Sequence, residues 1–119
     1  FSYDVLCHIS SSGVNNYLKA LSRKCKRGCI LNLMYADVYK YIKNEPENVG
    51  AFINEFGTDD IPTLQRRMQD DHDGQPNIVG RWYWIGIDRF ISMCEDNGFT
   101  VVNRDINIDK TNPITILTK

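Results

Sequence analysis

A chain of 119 residues fits one domain and can bury roughly two-thirds of its unfolded surface, so one core forms without staples. Its net charge of −1, with acids and bases mixed along the chain, excludes a broad phosphate-neutralising surface and leaves nucleic acid binding without compositional support. No stretch approaches the ~20 apolar residues of a membrane span, and no basic-then-apolar leader opens the chain, so the expectation is a cytoplasmic domain without membrane contact.

The opening run Tyr3-Asp4-Val5-Leu6-Cys7-His8-Ile9 is apolar and bounded by Ser10-Ser11-Ser12-Gly13, which suits a strand buried on both faces. Val14, Tyr17, Leu18, Leu21 and Cys25 follow at helical spacing, with Ser11 or Ser12 as the cap and Gly28 as the stop. Cys29 to Tyr35 is a second apolar run and predicts a second buried strand. Strand, helix and strand over so short a span make a βαβ unit, whose strands are expected to be parallel with a right-handed crossover. Arg23, Lys24, Lys26 and Arg27 fall in the last turn of the helix and just beyond it, where cations complement its dipole.

The middle of the chain predicts a short helix over Asp37 to Lys43, then a stripe of Val49, Phe52, Ile53 and Phe56 ended by Gly57. Asp59-Asp60-Ile61-Pro62 places acids and a proline where the next helix starts, leading into Leu64 and Met68. Gln69 to Asn77 is polar and turn-rich, which predicts an exposed loop. Ile85, Asp88, Phe90, Ile91 and Cys94 pattern as a helix stopped by Gly98. Phe99 to Val102 and Ile114 to Thr118 predict two strands, antiparallel across a turn at Asp109 to Pro113. Cys7 and Cys29 sit within apolar runs, and Cys25 and Cys29 lack a second ligand pair at zinc spacing, so all four cysteines are expected to be reduced and structural.

This order resembles the second half of the class I S-adenosylmethionine-dependent methyltransferase fold, from its fourth strand to its antiparallel seventh. Phe1 to Ser10 is similar to the family's fourth strand. Leu18 to Met34 is similar to its following helix, glycine turn and fifth strand, with Cys29 in place of one glycine of the usual pair. Phe90 to Val102 carries the best-preserved piece, a helix that runs through Asn97-Gly98 into a strand. The resemblance implies an α/β fold: a Rossmann-like methyltransferase half-domain, with a mixed sheet whose C-terminal hairpin is antiparallel and flanked by helices. Residues 1–119 are then a single domain, the C-terminal, acceptor-side half of that fold. In the family the cofactor lies at the ends of the first three strands, on a glycine-rich turn and an acid. The eight glycines here are all isolated, so the cofactor-holding half is expected to lie outside this chain, with S-adenosylmethionine bound only when that half is supplied.

Within that frame His8, Ile9 and Ser10 border the cofactor's methyl end. His8 is the candidate general base, because imidazole titrates near neutrality. A strand histidine satisfied by backbone is the alternative. Trp82, Tyr83 and Trp84 offer flat apolar faces to a small-molecule acceptor, or else pack a helix onto the sheet. Asp70-Asp71-His72-Asp73 are adjacent in sequence and lack the alternate spacing of a calcium loop, so no metal site is expected. The expected activity is methyl transfer to a small molecule. The alternative is a non-catalytic methyltransferase-like scaffold that binds another chain, or a second copy, at an exposed sheet edge.

Overall fold

The structure, a computed structural model, describes residues 6–73 and 83–119, and of residues 70–73 the backbone alone. Among the described residues, five α-helices and three strands run in the order α1 (Ser11–Lys24), β1 (Ile30–Met34), α2 (Val38–Asn44), α3 (Val49–Phe56), α4 (Ile61–Asp73), α5 (Ile87–Asp96), β2 (Thr100–Asn103) and β3 (Ile114–Thr118).

The first strand expectation needs correction. Leu6–His8 is a 3-10 turn, closed by Ile9 N–H donating to the Leu6 carbonyl at 3.2 Å, and Tyr3 to Val5 lie outside the described residues. The apolar run was nonetheless a correct sign of burial, since Leu6 and Cys7 are both fully buried. Ser10, one residue ahead of the expected caps, starts α1 by accepting from Gly13 N–H at 3.4 Å. The helix ends at Lys24, ahead of Gly28, which instead turns the chain into β1 at φ +88°.

β1 also differs from expectation, because only its second half is deeply buried and Ile30 is 70% exposed. Its neighbour in the sheet is β3, antiparallel from Ile30 opposite Thr118 to Met34 opposite Ile114. β2 pairs with the other side of β3, also antiparallel, so the order is β1-β3-β2. The predicted antiparallel hairpin is therefore present. The mixed sheet is not, since every pairing among the described residues is antiparallel. Because β3 is reversed against both neighbours, β1 and β2 run parallel to one another. An irregularity between Val101 and Asn103 leaves Val102 62% exposed.

The connection from β2 to β3 is held by two aspartates rather than by one tight turn. Asp109 Oδ1 accepts from the N–H groups of Thr111 and Asn112, and Asp105 Oδ1 accepts from those of Asn107 and Ile114. α2 and α3 fall where the periodicity places them, with Gly57 left-handed at the end of α3. α4 continues to Asp73, through half of the expected loop Gln69 to Asn77, and residues 74–77 lie outside the described part. Asp60 caps its start by accepting from Thr63 N–H, and a polar stretch can remain helical on a solvated face. Ile85 precedes α5 instead of joining it, because Gly86 at φ +82° breaks the backbone there.

Two apolar clusters form the core. In the first, α1 gives Val14 and Leu18 and α5 gives Phe90 and Cys94, packed on Leu33, Tyr35 and Leu117 of the sheet side. The Tyr35 and Phe90 rings stack with centroids 3.8 Å apart. Both helices thus cover the same sheet face. The second cluster joins Cys7, Ala36, Val38, Leu64, Met68 and Trp84, and the partly buried Tyr41, Phe52 and Phe56 close it. Each fully buried large side chain contributes about 1.5–3 kcal/mol, so both clusters matter to a domain of this size.

Candidate functional site

Asp37 lies just beyond the carboxyl end of β1 and is 3% exposed. Its Oδ2 accepts from Lys40 N–H at 2.9 Å, capping α2, and its Oδ1 accepts from Ile87 N–H at 3.0 Å, capping α5. One carboxylate therefore satisfies orphan amides of two helices that are remote in sequence. The strand end and the helix start are also tied by Gly86 N–H donating to the Ala36 carbonyl at 3.0 Å. Tyr83 N–H donates to the Cys7 carbonyl at 2.8 Å, and Gln69 Nε2 donates to the Ile85 carbonyl at 2.6 Å. Residues 83–87 are thus strapped between the 3-10 turn and the end of β1.

Lys40, one turn into α2, is buried to 9% exposure and its Nζ donates to Asp105 Oδ2 at 2.6 Å. Asp105 stands just after β2, so this pair links the carboxyl ends of the two parallel strands. Around it opens a cleft of about 350 Å³ bordered by Tyr39, Lys43, Asn44, Ile87 and Asn107. A neighbouring hollow of about 210 Å³ shares Asp37 and Tyr39 and adds Gln65, Asp88 and Arg104. Arg104 and Asp88 pair at 2.6 Å on the surface, where such a bond adds little stability. A third hollow, about 290 Å³, lies between the starts of α1 and α5, at Ser11, Ser12, Asn15, Arg89 and Met93. The chemistry on offer is hydroxyl, amide and ammonium groups beside apolar patches, which suits a small polar molecule.

The residues expected to form the site meet only in part. The bond from Tyr83 to Cys7 brings the His8 segment beside the Tyr83–Trp84 segment. His8 is half-buried in the 3-10 turn, Ile9 packs against the first cluster, and Ser10 hydrogen-bonds Ser12 Oγ at 3.2 Å besides capping α1. Tyr83 is buried at 1% exposure. Trp84, at 8%, meets Tyr41 and Phe52 edge-on with centroids 5.1 and 5.4 Å away. Those contacts are core packing, and Trp82 lies outside the described residues. Neither Asp37's second helix nor the Lys40–Asp105 pair was legible in the sequence. Asp37 carried the signal of a cap for α2, but nothing local marks a partner fifty positions away.

The described residues do not by themselves fit S-adenosylmethionine. The acid at a strand end, Asp37, spends both oxygens on backbone amides. Among the described residues no group of three His, Cys, Asp or Glu side chains is placed to hold a metal ion, and no helix is long and apolar enough to cross a membrane. Comparison with protein-family models, with curated proteins and with solved structures gives no match.

Proposed function

We propose that this chain is the acceptor-side half of a class I S-adenosylmethionine-dependent methyltransferase domain, acting on a small polar acceptor in a reducing, cytoplasmic setting. The observation that carries this reading is the sheet edge. Two parallel strands, β1 and β2, flank a reversed terminal strand, and α1 and α5 cover one face. The start of α5 meets the residues just beyond the carboxyl ends of β1 and β2 at the clefts. In doubly wound sheets, ligands bind outside that edge. His8 is the proposed base, Ile9 and Ser10 border the methyl end, and Tyr83 and Trp84 stiffen the wall behind the acceptor. The cofactor belongs to residues beyond this chain, and catalysis would rest chiefly on alignment.

A second reading, a non-catalytic module that binds another chain, has its own support. Ser10, Asp37, Lys40 and Asp105 all spend polar atoms on holding the fold together. The whole product of the parent gene separates the two. Incubated with methyl-labelled S-adenosylmethionine and a library of small hydroxyl, amine and carbon acids, it is expected to label an acceptor, and H8A to lose most of that activity while folding normally. A whole product that neither binds the cofactor nor transfers label would overturn the enzymatic reading in favour of the scaffold.

A further inference from the structure

The basic turn between α1 and β1 holds a second piece of chemistry, independent of any methyl transfer. Cys25 is the C-cap of α1, its N–H donating to the Leu21 carbonyl at 2.7 Å. The next residues turn back at once. Cys29 N–H donates to the Lys26 carbonyl at 3.1 Å, and Gly28 takes φ +88°, the left-handed third position of a type II turn. That reversal folds Cys29 back beside Cys25, so that each thiol lies within electrostatic reach of the other. The far side of the turn is fixed, with Gly28 N–H on the Lys119 carbonyl at 2.8 Å and Thr118 Oγ1 on the Cys29 carbonyl at 2.9 Å.

Accessibility divides the four free cysteines into two classes. Cys7 and Cys94 are fully buried, one in each cluster, whereas Cys25 and Cys29 are both partly exposed. Arg23, Lys24, Lys26 and Arg27 are exposed around the pair, and Lys119 Nζ reaches the Ser22 carbonyl nearby. Such a cationic setting attracts anions; at Cys25 itself desolvation and the neighbouring Cys29 raise the thiol's pKa, with Lys119 opposing them.

We infer that Cys25 and Cys29 are a redox modification site: they form a reversible intramolecular disulfide by exchange with an anionic low-molecular-weight disulfide such as oxidised glutathione. One cysteine thiolate attacks a glutathione sulfur, the glutathione S–S bond breaks, and one glutathione leaves as thiolate and takes a proton. The second cysteine thiolate then attacks the protein sulfur of the mixed disulfide and expels the other glutathione, which is protonated in turn. Two protein thiols are oxidised and one glutathione disulfide is reduced to two thiols, so electrons and protons balance.

The test incubates the chain in mixtures of reduced and oxidised glutathione, quenches with acid, alkylates, and maps the peptides by mass. The expected product has lost two hydrogens, both within the peptide spanning Cys25 and Cys29, with both alkylation sites lost and both restored by dithiothreitol. C25S and C29S should each carry one glutathione on the remaining cysteine instead. Wild type that accumulates glutathione on Cys25 and Cys29 separately, or that keeps both thiols alkylatable, overturns the proposal. The charge part has its own readout. Added salt should slow exchange with oxidised glutathione several-fold and leave exchange with uncharged 2-hydroxyethyl disulfide unchanged. An equal salt response of the two reagents removes the anionic partner.

Discussion

Asp37 shows how much of this structure hangs on single polar atoms. Both of its oxygens accept from helix-starting amides in a buried position, so D37A strips two caps at once and should destabilise the domain by about 3 kcal/mol, with D37N costing less. Urea unfolding of the two variants measures this; equal stability of D37A and wild type would falsify the double-cap account. Tyr35 and Cys94 make a second residue-scale prediction, in pH. Burial raises the Tyr35 phenol well above its ordinary 10.0, the Thr115 hydrogen bond opposing it, and burial followed by the Glu95 charge pushes the Cys94 thiol up to about 12 from 9.0. Both groups hold their protons in the fold and release them at ordinary values when unfolded. Their contribution to stability is complete below pH about 9 and is lost as pH rises through the unfolded and then the folded values. Thermal midpoints should therefore fall above that pH, and the double variant Y35F/C94A should fall less steeply. Parallel slopes for the two proteins would count against it.

The elements differ in how firmly they are held. β3 lies between two strands and buries Ile114, Thr115 and Leu117, whereas α3 contains no buried residue and rests on the second cluster through Phe52 and Phe56. Hydrogen exchange should accordingly find the α3 amides opening well before those of β3, by a factor of a hundred or more, on the order of 3 kcal/mol. W84A removes the ring against which Tyr41 and Phe52 lean and should cost about 3–5 kcal/mol, speeding exchange in α2 and α3 first. Uniform acceleration across the sheet would mean that the two clusters behave as one. Both element predictions rest on where rings and strands pack.

At the scale of the whole molecule, the proposed function assigns this chain the acceptor-side edge of a sheet and leaves the cofactor to residues outside it. Titration calorimetry of this chain with S-adenosylmethionine is therefore expected to give no micromolar binding. A micromolar site on the chain alone would contradict the division of labour proposed here. Light scattering addresses the partner reading at the same scale: an assembly larger than one chain at high concentration is what a paired scaffold requires, and a strict monomer in the whole product counts against it.

Local chemistry alone was enough to place most of the helices. Periodicity located α2, α3 and the body of α5, and glycine marked the left-handed stops at Gly57 and Gly98, because a 3.6-residue stripe and a positive φ are properties of a few neighbouring residues. The same kind of reasoning recovered the antiparallel pairing of β2 with β3. Tertiary structure decided the rest. Leu6–His8 has a strand's composition, yet adopts a 3-10 turn that still buries Leu6 and Cys7, since hydrophobicity specifies burial and leaves backbone geometry to the neighbours. The insertion of β3 beside β1, the sharing of Asp37 between α2 and α5, and the Lys40–Asp105 pair each join positions far apart in the chain. No local pattern encodes such partners. They are selected only when the packed core brings buried polar groups within reach of one another and leaving them unpaired becomes costly.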